Sequence, residues 1–333
     1  MSGHCYRNVG RNLTIFMVCT CLVSICFGQR RPEDDLKIPD PEAVTVQATD
    51  GMSIRCSYYP GGFVETPGDK KDKPKIVKKP GKEVVPVLML HGWDGRRRDF
   101  DELATTLQKQ GHAVIVPDLR GHGDSSTIQL ANGQIEEIDR DRMRPADMAK
   151  MLYDVEAAKK FLLDKNNAGE LNIELLCVVG ADVGATVAVN WAAYDWSRRQ
   201  LPAFKQGRDV KALVLVSPKT SHRGLSLNKS LSHPIIQKFL SVMLIVGEGD
   251  RDASRDAKSI HSRIEKMRDE PPKELEKQDL FYLRPNTTLQ GTQLINVPGL
   301  PLRQNIGLFI ELRLVRKAND FPWMERKNPL EGS

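Results

Sequence analysis

The chain has 333 residues, of which 40% are hydrophobic and 28% charged, and this excludes a disordered, collagenous or multi-span membrane protein. The formal net charge of +6 is a small surplus over this length. With no zinc-finger spacing, Walker loop or RNA-binding aromatic motif beside it, that surplus does not argue for nucleic-acid binding.

Arg7 and Arg11 precede an uncharged apolar stretch from Leu13 to Gly28, and Arg30, Arg31, Glu33, Asp34 and Asp35 follow it. A basic start, a short apolar segment and a small residue before a polar stretch predict a secretory signal peptide over residues 1–28, and so export to a periplasm, an envelope or the medium. The apolar stretch is short against the roughly 20 residues of a membrane span, so no span is expected in the mature chain. A retained N-terminal anchor is the competing reading. Four of the six cysteines, Cys5, Cys19, Cys21 and Cys26, fall in this segment. Only Cys56 and Cys177 follow, too few for a disulfide scaffold, although one bridge between them is open.

Residues 29–42 are rich in Pro and charge and read as a flexible lead-in. Segments 43–48 and 52–59 alternate in polarity around Thr49-Asp50-Gly51, which predicts an antiparallel hairpin. Residues 60–83 are rich in Lys and Pro and read as a solvated loop. From residue 84 the pattern changes. Apolar strands are predicted at 84–90, 113–116, 173–179, 211–216, 242–246 and 280–283. Helices are predicted at 100–110, 146–164, 185–196, 254–268 and 306–316, with room for one short helix at 234–240. Strands alternating with amphipathic helices give an α/β fold, a mostly parallel sheet covered on both faces. No compositional break divides it, so one domain is expected over 43–316. Residues 317–333 form a C-terminal tail, stapled down by Phe321, Trp323 and Met324.

The predicted strand ends carry a set of motifs. Strand 84–90 leads into His91-Gly92-Trp93-Asp94-Gly95, and strand 113–116 into Pro117-Asp118-Leu119-Arg120-Gly121-His122-Gly123-Asp124-Ser125. Strand 173–179 runs through Gly180-Ala181-Asp182-Val183-Gly184 straight into a helix. Strand 242–246 ends in Gly247-Glu248-Gly249-Asp250. This set, in this order, resembles the α/β-hydrolase fold superfamily, on its esterase and serine-aminopeptidase side, over residues 43–316. The resemblance implies a nucleophile elbow at Asp182, where Gly180 and Gly184 let strand and helix pack closely. It implies an oxyanion hole from the backbone N–H groups of Trp93 and Val183, beside His91, Gly92 and His122.

Two family positions are altered. The elbow residue, commonly Ser, is Asp182. Asp250 matches the acid of the triad, with Asp252 as the fallback. The stretch Leu289-Gln290-Gly291-Thr292 places Gln290 where the family has its His. A Gln amide accepts and donates hydrogen bonds but has no basic nitrogen near neutral pH. No histidine follows His261. Dehalogenases and epoxide hydrolases of this fold do attack with an Asp. They carry a large helical cap, for which residues 217–242 leave too little chain, and they need the His that is missing here. Losing a general base costs about 10²–10⁴ in rate.

The leading expectation is therefore an exported protein of hydrolase ancestry with a degenerate triad, a pseudoenzyme that binds an unidentified small molecule or protein in the old cleft. An active hydrolase with an Asp182 nucleophile and a recruited base, His91 or His122, is the first alternative. A structural module of the cell envelope is the second. His91 and His122 are expected to hold loop backbone, and His261 to lie at the core edge. No cofactor and no metal is expected, since Asp182, Asp250 and Asp252 match no cation-binding loop.

Overall fold

The structure is a computed structural model and describes residues 36–66, 74–129, 132–202 and 205–326. The predicted signal segment lies outside the described residues. Eight strands form one sheet: β1 (Glu42–Gln47), β2 (Ser53–Tyr59), β3 (Pro86–Leu90), β4 (Ala113–Pro117), β5 (Leu176–Ala181), β6 (Val210–Val216), β7 (Ser241–Ile245) and β8 (Leu280–Leu283). Their spatial order is β1-β2-β4-β3-β5-β6-β7-β8. The β1–β2 and β2–β4 pairs are antiparallel; every later pair is parallel. Among the described residues seven α-helices lie between or after the strands: α1 (Asp101–Lys109), α2 (Pro145–Ala149), α3 (Met151–Asn167), α4 (Val183–Ser197), α5 (Arg251–Glu265), α6 (Gly291–Ile295) and α7 (Leu302–Ile310).

The period-two alternation of strand side chains divides the core into two layers. Leu88, Leu90, Val178, Leu213 and Leu244 face α3, α4 and α5 through Val155, Leu162, Trp191 and Ile260. Val87, Met89, Val179, Val214 and Met243 face α1, α6 and α7 through Leu103, Leu107, Leu294 and Ile306. Strands buried on both faces read as unbroken apolar runs, which is why β3, β5, β6 and β7 are visible in the sequence.

Several elements depart from the sequence expectation. Within the solvated loop assigned to 60–83, Phe63–Thr66 pairs antiparallel with Lys75–Lys78. Val64 packs against Gly111, whose φ of +88° ends α1. The helix expected over 146–164 is two helices, α2 and α3, divided at Lys150. Strand 173–179 starts later, because Asn172 caps a 3₁₀ turn at Ile173–Leu175 through Glu174 N. The last helix starts earlier, at Leu302, and ends in a π-helical turn, Glu311–Val315. The short helix expected at 234–240 is a π-helical turn, Ile235–Phe239. Cys56 and Cys177 are both buried and free, so the bridge between them does not form.

Residues 318–326 lie along the base of the domain. Asn172 Nδ2 donates to Phe321 O (3.1 Å) and Asn166 Nδ2 to Met324 O (3.0 Å). The deepest anchor of this tail is ionic rather than aromatic. Arg326, whose side chain is 2% exposed, donates to Glu174 Oε1 (2.7 Å) and Asp209 Oδ1 (2.6 Å). Lys159 Nζ approaches the other oxygen of Asp209 at 2.9 Å.

Candidate active site

The elbow is built as its glycines require. Asp182, between β5 and α4, has φ 51° and ψ −117°. A non-glycine residue there carries about 1–3 kcal/mol of backbone strain. A Cβ on Gly184 would stand 2.2 Å from Leu90 O, and one on Gly180 would stand 2.5 Å from the Ala185 Cα. The turn therefore closes only with glycine on both sides, and it lifts Asp182 onto the C-terminal edge of the sheet.

The Asp182 carboxylate is fully engaged. Its Oδ2 accepts from Trp93 N at 3.2 Å. Its Oδ1 has no hydrogen bond of good geometry and is instead ion-paired with Lys219 Nζ at 2.7 Å. Gly92 makes room for this, since a Cβ there would stand 3.1 Å from the Asp182 Cβ. One of the two expected oxyanion donors is thus already taken by the elbow side chain itself. Lys219 is held from both sides. Its carbonyl accepts from Thr186 Oγ1 on α4 (2.8 Å), and the neighbouring Thr220 donates from N and Oγ1 to Asp256 on α5 (3.0 and 3.2 Å).

The other expected positions are arranged less like a triad. Asp250 is spent as a helix cap, its Oδ1 accepting from Ala253 N at 2.8 Å at the start of α5. Asp252 is exposed and paired with Arg255. Gln290 is exposed and its backbone starts α6, while the next residue, Gly291, donates from N to Ser217 Oγ at 3.0 Å at the end of β6. Among the described residues no hydrogen bond or ion pair links Asp182, Asp250 and Gln290, and no group of three His, Cys, Asp or Glu side chains is placed to hold a metal ion.

His91 and His122 serve loop backbone. His91 Nδ1 donates to Gly92 O (2.7 Å) and its Nε2 accepts from Leu119 N (3.0 Å), which fixes a neutral ring. Burial and the neighbouring His122 push it down to about 4. His122 faces Arg120 O (2.9 Å) and Trp93 O (2.8 Å); burial lowers it, and the two carbonyls oppose that. Neither ring has a nitrogen left for Asp182, so the recruitment of either as base is corrected. His261 stacks on Tyr282 with ring centroids 4.7 Å apart, at the core edge as expected.

Two residues that sequence reasoning passed over complete the site, and both follow β6. Lys219 is one. His222 is the other, on a two-rung hairpin, Ser221–His222 with Leu225–Ser226, that folds over Trp93. The His222 and Trp93 rings lie 4.8 Å apart, and the buried His222 Nε2 has no hydrogen-bond partner. Burial and Lys219 lower the His222 pKa, while the negative charge of Asp182 raises it. Arg223 places its guanidinium 4.9 Å from the Trp93 ring centre and donates to Asp141 O at 2.6 Å. Arg140 donates to Trp93 O at 2.7 Å. Tryptophan, two arginines, a lysine and an imidazole therefore roof the elbow. Among the described residues no imidazole is hydrogen-bonded or ion-paired to Asp182 or Asp250.

A mostly parallel sheet in this order, with a sharp elbow between β5 and α4 flanked by the loops that follow β3 and β7, defines the class: the chain has the α/β-hydrolase fold. The sequence profile of the alpha/beta hydrolase fold family matches residues 85–241. The chain is 26% identical over 169 residues to the AB hydrolase superfamily protein YisY of Bacillus subtilis. That match covers 48% of this chain and spans about 60% of the length of YisY. Among solved structures, a dienelactone hydrolase from Anabaena variabilis superposes with a TM-score of 0.54 at 16% identity, covering 84% of this chain and 100% of that one. An esterase from Pyrococcus furiosus superposes with a TM-score of 0.52 at 16% identity, covering 83% and 93%. An esterase from Pyrobaculum calidifontis gives 0.53 at 14% identity, covering 84% and 85%. At such identities the likeness is one of fold.

Proposed function

We propose that this chain is an exported α/β-hydrolase-fold protein that binds a ligand or partner at the former catalytic cleft and does not turn over esters or aminoacyl substrates. One observation carries the reading: both oxygens of the Asp182 carboxylate are engaged, Oδ2 by a hydrogen bond from Trp93 N–H and Oδ1 by an ion pair with Lys219. A carboxylate held in this way is a poor nucleophile. Lone-pair density on Oδ1 is drawn to the ammonium, and an attack would have to break a 2.7 Å ion pair. A substrate carbonyl would also find one oxyanion donor already occupied. Gln290, in place of a histidine, leaves no base at the C-terminal loop.

The test is a screen of p-nitrophenyl esters and aminoacyl p-nitroanilides with the wild-type protein beside Asp182→Ser/Gln290→His. The expected result is background turnover by the wild type and measurable ester hydrolysis by the double variant. Robust wild-type hydrolysis that Asp182→Asn abolishes would overturn the reading.

The second reading is an active hydrolase in which His222 moves protons. It is favoured by the unpartnered Nε2 and by the field of Asp182 on that ring. Under it, wild-type turnover would rise with pH along a single titration lying below the ordinary imidazole range, because burial and Lys219 lower the His222 pKa, and would vanish in His222→Gln. Under the first reading His222→Gln changes nothing in the screen.

A further inference from the structure

A groove of about 600 Å³ lies between α5 and the edge strand β8, lined chiefly by Arg251, Arg255, Lys258, Ser262, Tyr282 and Arg284. It is separate from the Asp182 site. Arg251, Arg255 and Lys258 recur at i, i+4 and i+7, so they share one side of α5. The opposite side, Ala253, Ala257, Ile260 and Ile264, is buried against the sheet. Two acids stand near the four cations: Glu248, 3.6 Å from Arg284, and Asp252, paired with Arg255. Arg251 and Lys258 have no acidic partner among the described residues. All four cations are exposed.

The floor of the groove ends at β8, the last strand of the sheet. A terminal strand presents unpaired N–H and C=O groups along its outer edge. An added strand would thus gain main-chain hydrogen bonds from β8, and its side chains on the α5 face would reach the Arg251, Arg255 and Lys258 side chains where these line the groove beside Tyr282 and Arg284. The Arg251–Arg255 interval, four residues and about 6 Å on a helix, is close to the roughly 6.6–6.8 Å repeat of alternate strand residues; the Arg255–Lys258 interval is shorter, about 4.5 Å, and is matched only through the length of the Lys and Arg side chains.

We propose that this groove docks an extended acidic segment of a partner protein, added beside β8 with Asp or Glu at alternate positions facing Arg251, Arg255 and Lys258. Charge decides between this occupant and a second copy of the chain. Pairing β8 with β8 would set one basic stripe near its duplicate, and such like-charge juxtaposition is strongly disfavoured.

The experiment is fluorescence anisotropy of the whole protein with a fluorescein-labelled ten-residue peptide alternating Glu and Val. Arg255→Glu/Lys258→Glu, both outside the Asp182 site, should weaken binding at least tenfold while leaving the circular dichroism spectrum unchanged. N-methylation of alternate peptide amides, which blocks strand pairing, should also abolish binding. Three outcomes would each overturn the proposal: no saturable binding, equal binding of a Lys-Val peptide, or full binding by the N-methylated peptide with heparin competing through the same two residues. The last would identify a site for polyanions in general. None of these readouts depends on Asp182, so the proposal stands or falls apart from the reading of the cleft.

Discussion

Replacing Arg326 with Met removes the ionic anchor of the tail and keeps most of the apolar stem. The guanidinium is 2% exposed and bridges Asp209, 0% exposed, and Glu174, 6% exposed. Breaking a buried pair by deleting one partner costs about 3–5 kcal/mol. Here Asp209 keeps Lys159 and Glu174 keeps Lys205, so the lower end, about 3 kcal/mol, applies. For a domain of this size that corresponds to a fall in Tm of roughly 6 °C, read by thermal circular dichroism. Burial pushes the Asp209 carboxyl up, but Lys159 and Arg326 outweigh it and hold the group below its ordinary value. A depressed folded-state pKa contributes stability above the unfolded value, lost as pH falls through the folded one. The gap between wild type and variant is therefore full at neutral pH and narrows below about pH 4, the ordinary carboxylate range. A Tm within 2 °C of wild type at pH 7 would refute the account, because it would mean that the tail does not hold this arginine in the domain.

The neighbouring Asp195 behaves oppositely: burial and Asp209 push its pKa up to about 6. Its ionised form is therefore costly, and Asp195→Asn should match or exceed wild-type stability at pH 7.5 and lose that advantage as pH falls below 6, by urea unfolding across pH. Burial raises both thiols, so Cys56 and Cys177 should be silent to Ellman's reagent in the native protein and react in guanidinium; rapid native reaction would contradict their burial. Gly184→Ala should give no soluble folded protein by size-exclusion chromatography, since the added methyl meets backbone oxygens of Leu90 and His91 at 2.2 and 2.5 Å.

The fold was legible because each central strand is buried on both faces and so is written as an apolar run, and because the elbow needs Gly180 and Gly184 whatever residue stands between them. The boundaries that differed have local causes. Asn172 caps a turn ahead of β5, and Asp250 starts α5 three residues before the first helical position expected. Asp182, Trp93 and Gln290 stand out in the sequence because a motif surrounds them. Lys219 and His222 do not. They sit on a connection whose hairpin has two residues on each side, too short for any periodicity to register. Their nearness to Asp182 depends on anchors from Thr186 and Asp256, which are distant in the chain. Gly224, whose φ is 85° beside Arg223 at 45°, is a local mark of the turn there, as is Ser217 at 46° ahead of Pro218.

The carboxylate of Asp182 is a ligand that cannot diffuse away. Any carboxylate, phosphonate or nascent alkoxide arriving at Trp93 N–H and Lys219 competes with a rival tethered by a single side chain, whose local concentration no solute can approach. Neutral groups face no such rival, and one that offered hydrogen-bond acceptors to Arg223 and Arg140 would leave the elbow undisturbed.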